Sequence, residues 1–208
     1  YYLCIMYMVT TPWWLRMWYR NLLWQMPANG NTVYLTFDDG PHPEATPFVL
    51  STLAEFNAKA TFFCIGKNVT THADIYQQIL EQGHTVGNHT QAHTNGFKTD
   101  TEKYVQGVTA AAQHINSSWF RPPYGRLTWA QASALRQMNY RIVMWSLLSG
   151  DFDTSITGEQ CYNYVQQHLQ PGSIVVFHDS AKALPRLRLA LPKVLKYMQA
   201  MGWQSAAL

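Results

Sequence analysis

At 208 residues the chain is sized for one domain, with 47% hydrophobic and only 13% charged residues, against roughly 25% charged in an average globular protein. That composition supplies one large core and argues against disorder, and a net charge of +3 without basic clusters argues against a nucleic-acid partner. Aromatic residues reach 14%, with eight Trp, which suits a carbohydrate binder and a large core alike.

The opening "YYLCIMYMVT" is apolar but too short to span a bilayer. It lacks the basic start and small-residue cleavage site of a secretory signal. Met8 reads as a natural start, with residues 1–7 upstream of it. Then "TTPWWLRMWYRNLLWQMP", bounded by Pro12 and Pro27, sets Trp14, Leu15, Trp18, Leu22 and Gln25 at helical spacing, with Arg16 and Arg20 on another face. A helix lying on a membrane surface has that segregation, and so does one plugging the end of a barrel. The plug is favoured, because apolar helix faces in globular proteins are usually core. Residues 1–31 are therefore read as an extension with an apolar helix, and 32–208 as the domain proper.

From residue 32 strands and helices alternate. "TVYLTF" is a strand and 44–57 a helix; "KATFFCI" is a strand and "THADIYQQILEQG" a helix ended by Gly83. "HTVGNH" is a short strand, followed by a loop and a helix from Asp100 to about Asn116. "SWFRP" is strand-like, "TWAQASALRQMN" a helix, "YRIVMWSL" a strand and "TGEQCYNYVQQHL" a helix. "GSIVVFH", a helix over 184–202 and a last strand "WQSAA" complete the chain. The alternation predicts an α/β fold with a parallel sheet. About seven short apolar strands favour a (β/α) barrel over an open sheet.

In such folds chemistry sits at the carboxyl ends of the strands. The ends here carry Asp38 and Asp39; His89, with His93 beyond; Arg121; Asp151; and His178 with Asp179, while the strand bodies are almost free of charge. "HTQAH" (89–93) places two imidazoles one helical turn apart, so that both can face one ion. With a carboxylate from another strand end they form a His–His–Asp set that leaves room for water, the composition of a catalytic zinc site. Of two adjacent Asp residues on a turn, one can ligate while the other stays free as a base; spacing does not say which. In "RPPYG" (121–125) Arg121 is able to orient a catalytic Asp, or it belongs to a rigid surface loop. In "IVVFHD" (174–179) a partner such as Asp151 makes His178 a proton donor. Of the three cysteines, Cys64 reads as a small buried hydrophobe. Cys4, Cys64 and Cys161 together imply no disulfide framework.

"TFDDG", "HTQAH", "RPPYG" and "IVVFHD", in this order over residues 33–208, resemble the polysaccharide deacetylase family (carbohydrate esterase family 4, the NodB-homology domain). The resemblance implies a distorted barrel holding one divalent metal, zinc in most members and cobalt or nickel in some. By the motif match, Asp38 is the base, Asp39, His89 and His93 the metal ligands, and Arg121 the residue that holds the base. The Tyr124 N–H is the oxyanion donor, His178 the acid, and Asp151 the residue that tunes it. The family's remaining motif is altered: in "WSLLSGDF", Leu148 replaces an Asp and Phe152 a groove Trp. Implied with it is an acetylated carbohydrate substrate, N-acetylglucosamine-containing glycans in the first place and acetylated xylan in the second. The compartment stays open between the cell envelope or exterior, if a signal has been removed, and the cytoplasm. A helical metalloprotease site is disfavoured, since Thr90 and Gln91 stand where a Glu is needed.

Overall fold

A computed structural model of the chain describes residues 8–28 and 30–208; Cys4 and the residues before Met8 lie outside them. The strands are β1 (Thr32–Asp38), β2 (Thr61–Cys64), β3 (Thr85–Asn88), β4 (Trp119–Phe120), β5 (Arg141–Ile142), β6 (Leu147–Leu148), β7 (Ile174–His178) and β8 (Gln204–Ser205). The helices are α1 (Trp13–Trp18), α2 (Ala45–Glu55), α3 (Gly66–Thr71), α4 (Ala73–Glu81), α5 (Thr101–Ala112), α6 (Trp129–Gln137), α7 (Gly158–His168) and α8 (Leu184–Ala200). The first seven strands form one parallel sheet in the order β5-β4-β3-β2-β1-β7-β6, and β8 pairs with the start of β1. This is a distorted (β/α) barrel, as the alternation predicts.

β1 lies between β2 and β7, so both of its edges are hydrogen-bonded, and Val33 and the run Leu35–Asp38 are buried. The two-residue period divides the work. Phe37 stands in register with Phe62 and Phe177 and stacks on both, at 5.1 and 5.9 Å between ring centroids. That layer packs outward against Val49 and Leu53 of α2 and Leu187 and Leu191 of α8. The opposite face looks into the barrel, where Phe63, Val143 and Ile174 are buried. Asp38, in register with Phe63 and His178, belongs to that inner face. The helices are stopped and started locally: Thr128 with Gln131 and Thr157 with Gln160 form capping boxes on α6 and α7, each cap contributing about 1 kcal/mol.

Three elements differ from the sequence reading. The helix expected between Pro12 and Pro27 is only α1, and none of its residues is buried. Beyond it the chain is extended: Leu23 N–H donates to the Ile142 carbonyl (2.9 Å), Met144 N–H to that of Leu23 (2.7 Å), and Met26 N–H to that of Gly172 (2.9 Å). Leu23 and Met26 thereby pack on the barrel's inner cluster, while Thr11 N–H reaches the Ser146 carbonyl at 3.1 Å. Backbone pairing with the sheet has overridden helical spacing here. The strand expected over 140–147 is two short strands, β5 and β6, with an interruption at residues 143–146. α3 is an additional helix between β2 and α4.

Candidate metal centre and active site

Asp39 follows β1 with φ of +82°, in the left-handed region, a costly conformation for a residue with a Cβ. That turn separates the two carboxylates. The next residue is glycine by necessity, because a Cβ on Gly40 would lie 2.0 Å from Asp179 Oδ2. Gly40 N–H donates to Asp179 Oδ1 (3.0 Å), and Asn68 Nδ2 of α3 donates to the Asp39 carbonyl (2.7 Å). The loop is thus tied down on two sides.

His89 and His93 share a turn rather than a helix, with Thr90 at φ +65° and His93 at +53°. The Thr90 N–H donates to Asn88 Oδ1 at 2.9 Å. The four-residue spacing still brings both rings to one point. Asp39 Oδ1 lies 3.1 Å from His93 Nε2 and 3.6 Å from His89 Nε2, and one ligand atom from each of the three residues lies within 4.8 Å of the others.

The electrostatics of this trio favour a cation. His89 Nδ1 is 2.7 Å from the Arg121 carbonyl, which only accepts, so Nδ1 carries the proton. Burial holds the His89 pKa down at about 4 despite the nearby charges of Asp38 and Asp39. The ring is therefore neutral and Nε2 presents a lone pair. Burial acts to raise the Asp39 pKa, but His93, His178 and His89 outweigh it and hold the carboxyl well below the usual range. Asp39 Oδ1 is itself buried without a well-formed hydrogen bond. Ligand atoms about 2.1 Å from a tetrahedral zinc stand about 3.4 Å apart, close to the separations seen here.

Behind the trio, Arg121 is fully buried. Its guanidinium donates to Asp38 Oδ1 (2.8 Å), Thr36 Oγ1 (2.6 Å), the Met144 carbonyl (3.0 Å) and the Val143 carbonyl (3.4 Å), and lies 4.1 Å from the Phe63 ring centroid. The interruption between β5 and β6 is where those two carbonyls turn to the guanidinium. Across the cleft, His178 donates its backbone N–H to Asp151 Oδ2 and its Nδ1–H to Oδ1, each at 2.7 Å, leaving Nε2 for the cleft. Burial works to lower the His178 pKa; Asp151, with smaller contributions from Asp39 and Asp38, reverses that and raises it to about 9. The imidazole is thus charged at neutral pH.

Asp38, Asp39, His89, His93, Tyr124 and His178 line one cleft of ≈ 720 Å³, with Arg121 and Asp151 directly behind two of them. Tyr124 sits at φ +60° in the "RPPYG" turn, and its hydroxyl lies 3.1 Å from His93 Nδ1. Leu148 and Phe152 also line the cleft, the Phe152 ring edge-on to His178 at 5.3 Å.

A family model described as polysaccharide deacetylase matches residues 25–143. The chain belongs to the polysaccharide deacetylase family. A peptidoglycan-N-acetylglucosamine deacetylase of Bacillus cereus is 32% identical over 188 residues, covering 87% of this chain and 88% of that one. A chitooligosaccharide deacetylase of Azorhizobium caulinodans is 34% identical over 162 residues, covering 74% and 77%. The crystal structure of a peptidoglycan N-acetylglucosamine deacetylase bound to a naphthyl benzamide superposes with a TM-score of 0.88 at 30% identity over 95% of both chains.

Several residues that shape this deacetylase-family site escaped the sequence reading. Thr36 and Asn68 have no pattern of their own, and only the folded contacts reveal them. Asp179, which the sequence already placed at a strand end beside His178, bonds to Gly40 and to Thr46 Oγ1 (2.5 Å) and so braces the Asp39 loop. His42 Nδ1 accepts the Glu44 and Ala45 N–H groups at the start of α2, and Trp129 stacks on Tyr19 at 4.9 Å.

Proposed function

We propose that the chain is a metal-dependent hydrolase that removes acetyl groups from N-acetylglucosamine-containing glycans of the peptidoglycan or chitin-oligosaccharide type. The convergence of Asp39, His89 and His93 between an unligated carboxylate and an opposing imidazolium carries this reading. The named relatives supply the substrate class.

Asp39, His89 and His93 are the ligands. Their donor set suits zinc first, with cobalt and nickel as alternatives. A divalent ion held there would lower the pKa of bound water toward ~7 and would polarise the acetyl carbonyl. Asp38, fixed by Arg121, is the base that accepts the proton of the attacking water. The backbone N–H of Tyr124 donates to the carbonyl oxygen as it gains charge, a contact whose loss typically costs about 3 kcal/mol. His178, kept protonated by Asp151, gives its Nε2 proton to the departing nitrogen. An amine leaves poorly unless protonated, so this step governs an N-acetyl substrate more than an ester. General-acid help of this kind is typically worth about 10²–10⁴-fold.

The deciding experiment measures acetate release from chitooligosaccharides and from acetylxylan by protein loaded with zinc, cobalt or nickel. Release from the chitooligosaccharides is the expected result. Release from xylan alone moves the reading to ester hydrolysis. Glycan binding without any release makes the chain a silent carbohydrate binder.

A further inference from the structure

α1 is an apolar helix with no fully buried residue, and only Leu15 and Arg16 are half-buried. Trp13 is 72% exposed, Trp18 73%, Met17 63% and Trp14 46%. Beside it lies an apolar cavity of ≈ 330 Å³ whose walls include Leu15 of α1 together with Met8, Phe97 and Trp129, the last three also largely exposed. Pro12, Leu15 and Tyr19, in and beside α1, line the cavity, so the two features adjoin. Soluble monomers rarely leave so much aromatic surface uncovered.

The charges on this face have one sign. Arg20 is exposed just beyond α1 and Arg136 lines the cavity, whereas Arg16 is half-buried and donates to Gln25 Oε1 (2.6 Å); no acidic residue lines the cavity. The first acid in the whole sequence is Asp38. Trp and Arg without acids is the chemistry of an interfacial segment: the rings settle at headgroup level and the guanidinium groups meet anionic phosphates. A second copy fits less well. A two-fold contact sets α1 against its own counterpart, with Arg20 near its own copy and no carboxylate to pair with.

We propose that α1 and the rim of this cavity dock on an anionic lipid bilayer. The cavity and the catalytic cleft share Tyr124, Gly125, Trp145 and Leu148 as walls, so docking sets the cleft beside the membrane surface. The proposal is independent of the reaction assigned to the cleft.

The test sediments the full chain with vesicles of phosphatidylcholine alone, or of phosphatidylcholine and phosphatidylglycerol in equal parts. Tryptophan emission and light scattering are followed in parallel. The expected result is binding about tenfold or more tighter to the anionic vesicles, with a blue shift in emission. The double substitution Trp13→Ser, Trp18→Ser weakens it about tenfold or more. Arg20→Gln weakens anionic binding about fivefold and leaves neutral binding unchanged. An unchanged thermal unfolding midpoint shows that each variant is folded. The proposal is overturned if neither vesicle binds, if the double variant binds as tightly as the parent, or if scattering shows a dimer that this variant abolishes, which assigns the face to a second copy.

Discussion

Replacing Asp151 with Asn isolates the acid side of the site. Asp151 is fully buried and meets His178 through two hydrogen bonds of 2.7 Å. Burial on its own lowers the His178 pKa, and the Asp151 charge is the main force that reverses it, bringing the value from 6.5 to about 9. That rise corresponds to about 3 kcal/mol of preference for the imidazolium. Because the folded value lies above the unfolded one, this stabilisation is fully present below pH 6.5 and is lost as pH climbs through about 9. In Asp151→Asn burial is opposed only by the smaller contributions of Asp39 and Asp38, so the His178 pKa falls well below its parent value. The alkaline limb of kcat/KM for acetate release therefore moves from near pH 9 to well below it. Activity at pH 8 falls by about a hundredfold or more. Denaturant unfolding of the parent weakens by about 3 kcal/mol on passing through pH 9, and that of the variant does not. A folded Asp151→Asn enzyme with an unmoved alkaline limb refutes the assignment.

Arg121→Met strands the Asp38 carboxylate in the barrel, a loss of about 3–5 kcal/mol. In a chain of this size that lowers the thermal midpoint by about 6–20 °C. Arg121→Lys recovers little, since one ammonium cannot span four acceptors; a lysine variant that melts with the parent contradicts this. Asp39→Ala or His93→Ala leaves two ligands, so elemental analysis of protein purified with zinc shows metal content falling from about one ion per chain to a small fraction, with circular dichroism unchanged. Gly40→Ala pushes a methyl into Asp179 and costs about 1–3 kcal/mol in denaturant unfolding. Burial pushes the Asp179 carboxyl up to about 8, so its ionisation opposes folding increasingly as pH rises toward that value. In the metal-free protein Asp179→Asn, which keeps an acceptor for Gly40 N–H, therefore gains stability relative to the parent in alkaline buffer.

Most of the barrel was legible in the sequence because its strands are short, apolar and separated by amphipathic helices, and periods of 2 and 3.6 residues leave different traces. The grouping of ionisable residues at strand ends followed from the same pattern. What escaped notice depends on partners distant along the chain. "YRIVMWSL" is apolar from end to end, so nothing local marks the break that Arg121 imposes at Val143 and Met144. Residues 19–26 keep helical spacing of Leu22 and Gln25, yet sheet carbonyls outcompete the helix. His89 and His93 were rightly grouped by spacing, though through a turn that Thr90 and His93 reach with positive φ, a conformation that spacing does not encode.

Half of the socket that receives Arg121 is main-chain oxygen. Two of its four acceptors are the carbonyls of Val143 and Met144, which every amino acid possesses. The grip on the base therefore tolerates changes of side chain at those two positions, provided the kink persists. An engineer reshaping the cavity that Met144 lines can replace that buried side chain with another of similar volume while the guanidinium stays anchored, whereas a proline that forces a different path there breaks the anchor without touching any ionisable group.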